Sequence, residues 1–398
     1  MAAKIRHKIN ILEMHSSLGF AGGQRNMISF AKFLNKDFFN VLVCGYLEGG
    51  SQEEKLKKLG ITFCSAKGDL KVIEKFIADN KIDAIHMHRS GQYIPFETEI
   101  FNIAKRINPN VVIIEKNVFG KYDGVSSKEI DCSFFQSIMH LNERYLSNSG
   151  LKFDFGKMKV LYNIIDATDF EQYRLSVEGV AAYKQSLGVE LKDFVIGKIA
   201  RPHIAKWSDL ILDMMPHLIK LVPNVKFIIM GVPESRVKLI KKSNFGDRVI
   251  ILPETANEKE VHKFYQVIDV LAHSSKIGEC NGNTINEAMF WGKPVVVNST
   301  PKRDNGQLEQ IIHMQDGIVA NYPQTFARAL AYLYYEEAKR REMGESAKNK
   351  VLFLNNPEKI VKQLEKVFVE NLDKIDPDSS FDYLRDVSYS PSEKDIIG

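Results

Sequence analysis

The sequence predicts an α/β protein built from two doubly wound parallel-sheet domains that face each other across a cleft. Short apolar runs typical of buried parallel strands alternate with amphipathic stretches typical of helices. This alternation starts near residue 9 and starts again near residue 193, so two sheets are expected rather than one. The length of 398 residues suits two or three domains of ordinary size.

The first half of the chain is predicted to form the first sheet. Its apolar runs, which we interpret as strands, are 9–13, 39–45, 61–64, 84–86, 111–114, 133–136 and 159–162. Helical patterns separate the earlier runs, at 24–35, 51–59, 71–80 and 97–107. This order favours parallel pairing, because each helix carries the chain back to begin the next strand at the same end of the sheet.

The second half repeats this order after a predicted helix at 171–191. The predicted strands are 193–199, 225–231, 248–252, 268–272 and 294–297, and the predicted helices are 208–221, 283–290, 323–350 and 357–369. We therefore expect one domain over residues 1–185 and a second over residues 186–370. Residues 371–398 carry seven acidic and three basic side chains and are expected to form a loosely ordered acidic tail.

Composition argues against several classes of protein. Hydrophobic residues make up 44% of the chain and charged residues 26%, as in ordinary globular proteins. We find neither a run of the roughly 20 apolar residues that span a bilayer nor a secretory signal, so a cytoplasmic protein is expected. The net charge of +4 is too small to indicate nucleic-acid binding. The four cysteines include no CxxC pair, which argues against a disulfide framework and a thiolate zinc site.

Two motifs that follow predicted strands suit an anionic ligand, which in open α/β sheets binds beyond the carboxyl ends of the strands. Gly22 and Gly23 open a helix, where the backbone can approach a ligand closely and the helix N-terminus favours an anion. Arg201 and Lys206 lie five residues apart on the loop after the strand 193–199, where two cations can hold a diphosphate from two sides. The alternatives are an ordinary glycine loop and a solvated basic loop.

Two carboxylates, Glu279 and Glu287, stand eight positions apart across a loop-to-helix junction. Asn283 is expected to be the N-cap of that helix, which places Glu287 one turn inside it. A carboxylate held there can accept both hydroxyls of a ribose, while Glu279 on the loop can face a sugar. Backbone N–H groups near Thr284 can donate to phosphate. The alternative is a capping cluster with solvated acids.

His15 and His88 follow two of the predicted strands, so both can reach the cleft. His86 and His88 form only a pair, and the sequence shows no further ligand cluster beside them. We therefore expect no metal site. A structural role for each histidine is the alternative.

Taken together, these motifs resemble those of the retaining glycosyltransferases of family 4, which have the GT-B fold of two facing Rossmann-like domains. The resemblance covers about residues 8–370. The glycine pair matches the family's N-terminal glycine loop, and the segment from Glu279 to Glu287 matches its E-x7-E signature. The turn Tyr162-Asn163-Ile164-Ile165-Asp166 is similar to the family's NGVD turn. The loop that carries Arg201 and Lys206 resembles the family's GR…K loop, with the arginine displaced along the chain.

The resemblance implies an acceptor-binding domain over 1–185 and a domain over 186–370 that binds a nucleotide-sugar donor linked to UDP or GDP. It implies that the catalytic residues are Arg201, Lys206 and Glu279. The implied donor-binding residues are Gly22, Gly23, Asn283, Thr284 and Glu287. The family often has a histidine at the end of the strand corresponding to 111–114, where this chain has Glu115-Lys116-Asn117, so the acceptor-side candidates are His15, His88, Glu115 and Asn117. Such enzymes generally need neither a metal nor another cofactor.

The predicted function is therefore transfer of a sugar, with retention at the anomeric carbon, to an acceptor hydroxyl of a glycan, glycolipid or polysaccharide. Two alternatives on the same architecture stay open: a non-hydrolysing nucleotide-sugar 2-epimerase, and a non-catalytic protein that binds a nucleotide sugar. We also predict weak peripheral contact with an anionic membrane through Lys4, Arg6, Lys8 and the lysines of residues 55–58. A solvated helix face is the alternative for that last segment.

Overall fold

The first half of the chain forms a seven-stranded, fully parallel sheet in the computed structural model, which describes residues 8–375. Its strands are β1 (Ile9–Ser17), β2 (Phe39–Glu48), β3 (Phe63–Ser65), β4 (Ala84–Arg89), β5 (Val112–Asn117), β6 (Cys132–Phe135) and β7 (Met158–Val160). They lie in the order β3-β2-β1-β4-β5-β6-β7. The long strand β1 pairs with both β2 and β4, so the chain reverses its direction of winding at this strand.

Helices cover both faces of this sheet. The helices up to residue 192 are α1 (Gly22–Phe33), α2 (Glu53–Lys58), α3 (Leu70–Asp79), α4 (Pro95–Ile107), α5 (Ser147–Ser149), α6 (Ala167–Glu171) and α7 (Val177–Ser186), of which α6 and α7 pack with the core of the second half. Local sequence explains where several begin: the Asp69 side chain accepts from the Lys71 N–H at the start of α3, and Pro95 occupies the first turn of α4. Apolar side chains of α1 pack on one face of the sheet and those of α3 and α4 on the other.

The second sheet has six strands, again all parallel. They are β8 (Phe194–Ile199), β9 (Val225–Met230), β10 (Val249–Leu252), β11 (Val270–His273), β12 (Val295–Val297) and β13 (Gly317–Val319). Their order is β10-β9-β8-β11-β12-β13. The helices of this half are α8 (Leu210–Asp213), α9 (Met215–Leu221), α10 (Glu234–Lys242), α11 (Glu258–Val267), α12 (Asn283–Phe290), α13 (Gln307–Gln310), α14 (Pro323–Tyr335) and α15 (Glu337–Leu354).

The last helix, α16 (Pro357–Ile375), returns to the first half of the molecule. Its buried residues Ile360, Leu364 and Phe368 belong to the core that α1 forms with the first sheet. The segment before α16 is hydrogen-bonded to the segment that leaves the first half. The Asn355 side chain donates to the Asn163 carbonyl at 2.7 Å, and the Ile165 N–H donates to the Asn355 carbonyl at 3.0 Å. Both chain segments that connect the halves therefore meet at one place.

The predicted fold class, two doubly wound parallel-sheet domains, is confirmed. The helix predicted over 171–191 is shorter and corresponds to α7 (Val177–Ser186), while the one predicted over 323–350 is α14 and α15, separated where Glu336 leaves helical geometry. Strand β13 and helices α10 and α11 were not anticipated from the sequence. Residues 371–375 of the predicted acidic tail end α16, and residues 376–398 lie outside the described part. The domain limits 1–185 and 186–370 stay a prediction.

Candidate functional site

A cleft of about 570 Å³ is lined by side chains from both halves of the chain. It lies at the carboxyl ends of β1, β4, β8 and β11, where open α/β sheets bind ligands. Ten of the twelve residues predicted for the site line it: His15, Gly22, Gly23, His88, Arg201, Lys206, Glu279, Asn283, Thr284 and Glu287. The structure therefore brings together residues that are far apart in the sequence.

Gly22 lies close to the second half of the chain, and Gly23 lies close to His15 of the first half. A Cβ atom placed on Gly22 would lie 2.6 Å from Asn283 Nδ2, and one placed on Gly23 would lie 2.9 Å from His15 Nε2. Contacts this short are not tolerated without movement of the neighbour. A larger residue at Gly22 or Gly23 would therefore displace the side chain of Asn283 or of His15.

Helix α12 begins at Asn283, but its N-cap is Gly282 rather than Asn283 as expected from the sequence. The Asn283 side chain instead accepts a hydrogen bond from Asn163 Nδ2 at 2.7 Å. This bond ties α12 to the turn that follows β7 in the first half. The N–H groups of the first turn, at Asn283 and Thr284, lie at the cleft, where a helix N-terminus favours an anion.

Lys206 and Glu279 form a partly buried ion pair at the wall of the cleft, with Nζ and Oε2 2.9 Å apart. His273, at the end of β11, lies on the other side of this carboxylate, with Nε2 3.3 Å from Oε1. Burial alone would raise the pKa of Glu279, but Lys206 and His273 outweigh burial and hold that pKa well below its usual range. The same pairing raises the pKa of Lys206 despite its burial. Both groups are therefore charged at neutral pH.

Arg201 is exposed at the cleft wall, and its backbone is fixed by a tryptophan. The buried Trp207 indole lies 3.1 Å from both the Arg201 carbonyl and the Gly231 carbonyl, to which its N–H donates. This anchors the loop between β8 and α8. The cation of Arg201 and that of Lys206 consequently stand on a loop of defined shape.

Glu287 takes part in an ion pair between the halves. Its Oε1 lies 2.9 Å from Arg25 Nη1, and its Oε2 accepts from the Tyr265 hydroxyl at 2.8 Å. Burial opposes the charge of Arg25, but Glu287 and Glu258 outweigh burial and raise the pKa of the guanidinium. The sequence offers Arg25 only as a polar group beside the glycine pair, and nothing in the local pattern of Tyr265 and His273 shows that they meet these carboxylates.

His88, which was predicted on the acceptor side, belongs to a buried cluster with Glu13 and His86. The Glu13 carboxylate lies 2.9 Å from His86 Nδ1 and 3.1 Å from His88 Nε2. Burial lowers the pKa of His88 to about 3 and that of His15 to about 4, so both rings are neutral at pH 7. Although no metal was expected, these three residues offer ligand atoms within 4.8 Å of one another.

The hydrogen bonding of this cluster fits a carboxylate between two imidazoles better than a metal site. Histidines that bind metal usually donate their second ring N–H to a fixed partner. Here His86 Nε2 and His88 Nδ1 are buried and have no hydrogen-bond partner among the described residues. We therefore assign no metal to Glu13, His86 and His88.

Glu115 and Asn117, which were predicted on the acceptor side, are not among the described residues that line the cleft. Glu115 is buried, 3.1 Å from Arg89 Nη1, and accepts from Ser133 Oγ at 2.7 Å. The Asn117 side chain donates to the Lys121 carbonyl at 2.8 Å and so shapes the following loop. Both side chains are used in holding the structure beside the cleft.

The second half of the chain is similar to a known protein family. Residues 180–350 match the family model "Glycosyl transferases group 1". A segment of 210 residues is 28% identical to alpha-monoglucosyldiacylglycerol synthase of Acholeplasma laidlawii, covering 52% of this chain and 50% of that protein. The match thus spans about half the length of this curated relative.

Solved structures resemble nearly the whole chain. HepE of Anabaena in complex with UDP and glucose is 19% identical with a TM-score of 0.70, over 91% of this chain and 99% of that one. A glycosyltransferase of Rickettsia africae is 16% identical with a TM-score of 0.75, over 92% and 99%. At such identities the likeness shows the fold, which is the GT-B arrangement. None of the described helices is both long and apolar enough to cross a membrane.

Proposed function

We propose that this protein is a retaining glycosyltransferase of family 4 that moves a sugar from a nucleoside-diphosphate sugar to an acceptor hydroxyl. The observation that carries the proposal is the donor-side set of Arg201, Lys206, Glu279 and the start of α12. These groups meet in one cleft, within the part of the chain that matches the glycosyl transferases group 1 family.

The donor-side charges suit a diphosphate leaving group. As the bond from the sugar to the phosphate breaks, negative charge develops on the phosphate oxygen. Arg201 and Lys206 together with the N–H groups of α12 can stabilise that charge without reorganising, which is usually the largest single contribution to such a reaction. These positive groups take the place that a metal ion has in other transferases, so we propose a metal-independent reaction without a further cofactor.

Glu287 is suited to the ribose of the donor. Although Arg25 and Tyr265 each bond one of its oxygens, a carboxylate oxygen has further lone pairs that can accept hydroxyl groups. Since Arg25 comes from the first half and Glu287 from the second, a bound ribose would lie where the two halves join. Donor binding would then favour the closed cleft, which excludes water.

Retention is consistent with the acceptor side, where His15 and His88 are neutral at pH 7. We propose that the acceptor proton passes to the leaving phosphate, on the face from which the nucleotide departs. A non-hydrolysing 2-epimerase would convert the nucleotide sugar without an acceptor. Incubation with donor alone, followed by NMR, separates the two reactions.

The donor is proposed to be linked to UDP or GDP, and UDP is the first nucleotide to test because HepE was solved with UDP and glucose. The acceptor is proposed to be a glycan, glycolipid or polysaccharide, and the curated relative is named for its synthesis of a glycolipid. Cytoplasmic location and weak peripheral contact with a membrane are also proposals.

Binding of UDP should raise the melting temperature of the protein in a concentration-dependent manner. A ligand that binds only the folded state adds about 2.7 kcal/mol at 100 times its Kd. Differential scanning fluorimetry with UDP, GDP and, as a control, free uridine measures this. Equal curves with and without the two diphosphates would contradict the proposal, whereas binding with no release of diphosphate across a donor and acceptor panel would favour the non-catalytic alternative.

Gly22→Ala should weaken UDP binding by about 1 kcal/mol or more, or about fivefold in Kd. The added methyl group displaces the side-chain amide of Asn283, which accepts from Asn163 and lines the cleft at the start of α12. Calorimetric titration of UDP provides the measurement. Gly19→Ala is the matched control in the same loop, because its Cβ would meet Ser17 Oγ at an ordinary 3.6 Å. An unchanged Kd in Gly22→Ala would show that this close approach is not needed.

A further inference from the structure

Two loops beside the cleft expose an unusual group of apolar side chains. We call residues 90–96 and 118–128 the aromatic rim. Tyr93, Phe119 and Val125 are 49%, 50% and 48% exposed, and Tyr122 is also exposed. Single exposed apolar residues are normal on a protein surface, but a group of them marks a contact surface.

The two loops of the aromatic rim touch each other, so these side chains form one surface. Lys121 Nζ donates to Gln92 Oε1 at 2.6 Å. A Cβ on Gly91 would lie only 2.4 Å from the Lys121 carbonyl oxygen. Tyr93 directly follows Gln92 in the chain, and Tyr122 directly follows Lys121. Phe119 also lines the cleft.

The rim is built on a buried ion network. Arg89 is fully buried and donates to Glu97 at 2.6 Å, to Asp123 at 2.7 Å and to the Gln92 carbonyl at 2.7 Å. Burying an arginine with several carboxylates is costly in desolvation unless the geometry is well satisfied. The network thus holds both loops in a defined shape while their apolar side chains stay in water.

The charges of the rim have one sign. Its exposed ionic side chains are Lys121 and Lys128. Its single carboxylate, Asp123, is buried against Arg89. Aromatic side chains such as those of tyrosine and phenylalanine are favoured at the headgroup level of a membrane, where their rings are partly buried. Neighbouring lysines are attracted there by anionic lipid headgroups.

We propose that the aromatic rim docks on the surface of an anionic lipid bilayer. The lysines at residues 55–58, which the sequence suggested for such contact, are less suitable because two of them are already ion-paired. Lys55 lies 2.6 Å from an Asp169 carboxylate oxygen, and Lys57 lies 2.9 Å from one of Glu54. Lys4 and Arg6 lie outside the described residues.

Docking at the rim would also narrow the acceptor class of the proposed function, and this part of the inference rests on that function. Because Phe119 belongs both to the rim and to the cleft wall, a molecule at the membrane surface would be presented to the acceptor side of the cleft. The acceptor class that fits is a membrane lipid carrying a hydroxyl headgroup. A soluble polysaccharide has no need of this surface.

The test is co-sedimentation of the full chain with vesicles of equal parts phosphatidylglycerol and phosphatidylcholine. The protein should bind these vesicles, bind pure phosphatidylcholine more weakly, and be released by high salt. The double variant Tyr93→Ser, Val125→Ser should lower the partition coefficient about tenfold, since both side chains lose their burial in the interface. Lys121→Glu with Lys128→Glu should lower it at least about fivefold for each lysine.

Matched controls come from other segments of the same chain. Leu151→Ser with Phe155→Ser removes apolar groups that are 40% and 81% exposed, and Lys57→Glu with Lys58→Glu reverses two lysines. Both variants should bind vesicles like the wild type. The proposal is overturned if the wild type does not bind anionic vesicles, if rim variants bind normally, or if a control pair abolishes binding. A concentration-dependent dimer that only the rim variants lose would also overturn it, in favour of a contact between copies of the chain.

A measurement of nucleotide binding distinguishes a failure of the rim proposal from a failure of the proposed function. Tyr93 and Val125 are not among the described residues that line the cleft, so their variant should bind UDP with wild-type Kd in calorimetry. Vesicle binding without any UDP or GDP binding would leave the rim proposal standing and would remove the glycosyltransferase proposal. UDP binding without vesicle binding would do the reverse.

Discussion

Replacing Lys206 by alanine should lower turnover about 10²–10³-fold, the usual effect of removing one preorganised donor from a developing anion. Lys206 lines the cleft, and its ammonium group is held by Glu279 at 2.9 Å. The loss should appear in kcat more than in KM, because the charge on the leaving phosphate grows in the transition state. The measurement is release of nucleoside diphosphate under saturating donor.

Two further variants show whether turnover falls because Lys206 acts in catalysis or because Glu279 has lost its cation. Lys276→Ala removes an exposed lysine whose backbone N–H donates to the Ala205 carbonyl, next to Lys206, and should keep wild-type turnover. The double variant Lys206→Ala, Glu279→Gln avoids leaving the buried carboxylate unpaired and should remain as slow as Lys206→Ala. Wild-type kcat in a folded Lys206→Ala protein would remove Lys206 from the mechanism.

The second large effect is expected on stability. Arg89→Met should lower the free energy of unfolding by about 3–5 kcal/mol, as is typical when one member of a buried ion network is removed. Arg89 contacts Glu97, Glu115 and Asp123, which would be left buried without their shared cation. Urea denaturation followed by circular dichroism gives the comparison.

Arg106→Met is the matched control for Arg89→Met. Arg106 is 2.8 Å from Glu74, but both side chains are largely exposed, so the free energy of unfolding should stay near the wild-type value. Equal stability of the two variants would show that the Arg89 network does not hold the first half together.

The Arg89→Met effect should also shrink at low pH. Burial alone would raise the pKa of Asp123, but hydrogen bonds from Ser126, Arg89 and Val125 lower it. Such a carboxylate stabilises the folded state above its unfolded pKa, and this contribution is lost as pH falls through the folded pKa. Arg89→Met already lacks the part of this contribution that comes from Arg89. The difference in free energy of unfolding between the wild type and Arg89→Met should therefore become smaller as pH falls from the unfolded pKa of Asp123 through its folded pKa.

The fold could be predicted because its signals are local. Apolar runs such as those at β8 and β9 and the helical periodicity between strands need only neighbouring residues to be recognised. The location of Arg201 and Lys206 could also be predicted from the sequence. Both lie on the loop after a predicted strand, and such a loop begins at the carboxyl end of a parallel sheet, where the cleft lies. Strand β13 has only three residues and gave too short a pattern.

The residues that were missed depend on contacts between distant parts of the chain. Arg25 stands on α1 and meets Glu287 on α12 only after both halves have folded. His273 ends β11 like many buried strand residues, and its position beside Glu279 follows from the path of the intervening loop. Glu115 shows the opposite error: it follows the predicted strand 111–114 but lies inside β5, where Arg89 and Ser133 hold its carboxylate away from the cleft.

The return of α16 to the first half has a consequence for motion. The chain passes between the halves twice, and the two passages are hydrogen-bonded to each other at Asn163, Ile165 and Asn355. A hinge opening the cleft would therefore have its pivot at this point, where atomic displacements are smallest. The same rotation would move the rim of the cleft furthest, so the cleft would widen most at its mouth, where a ligand enters.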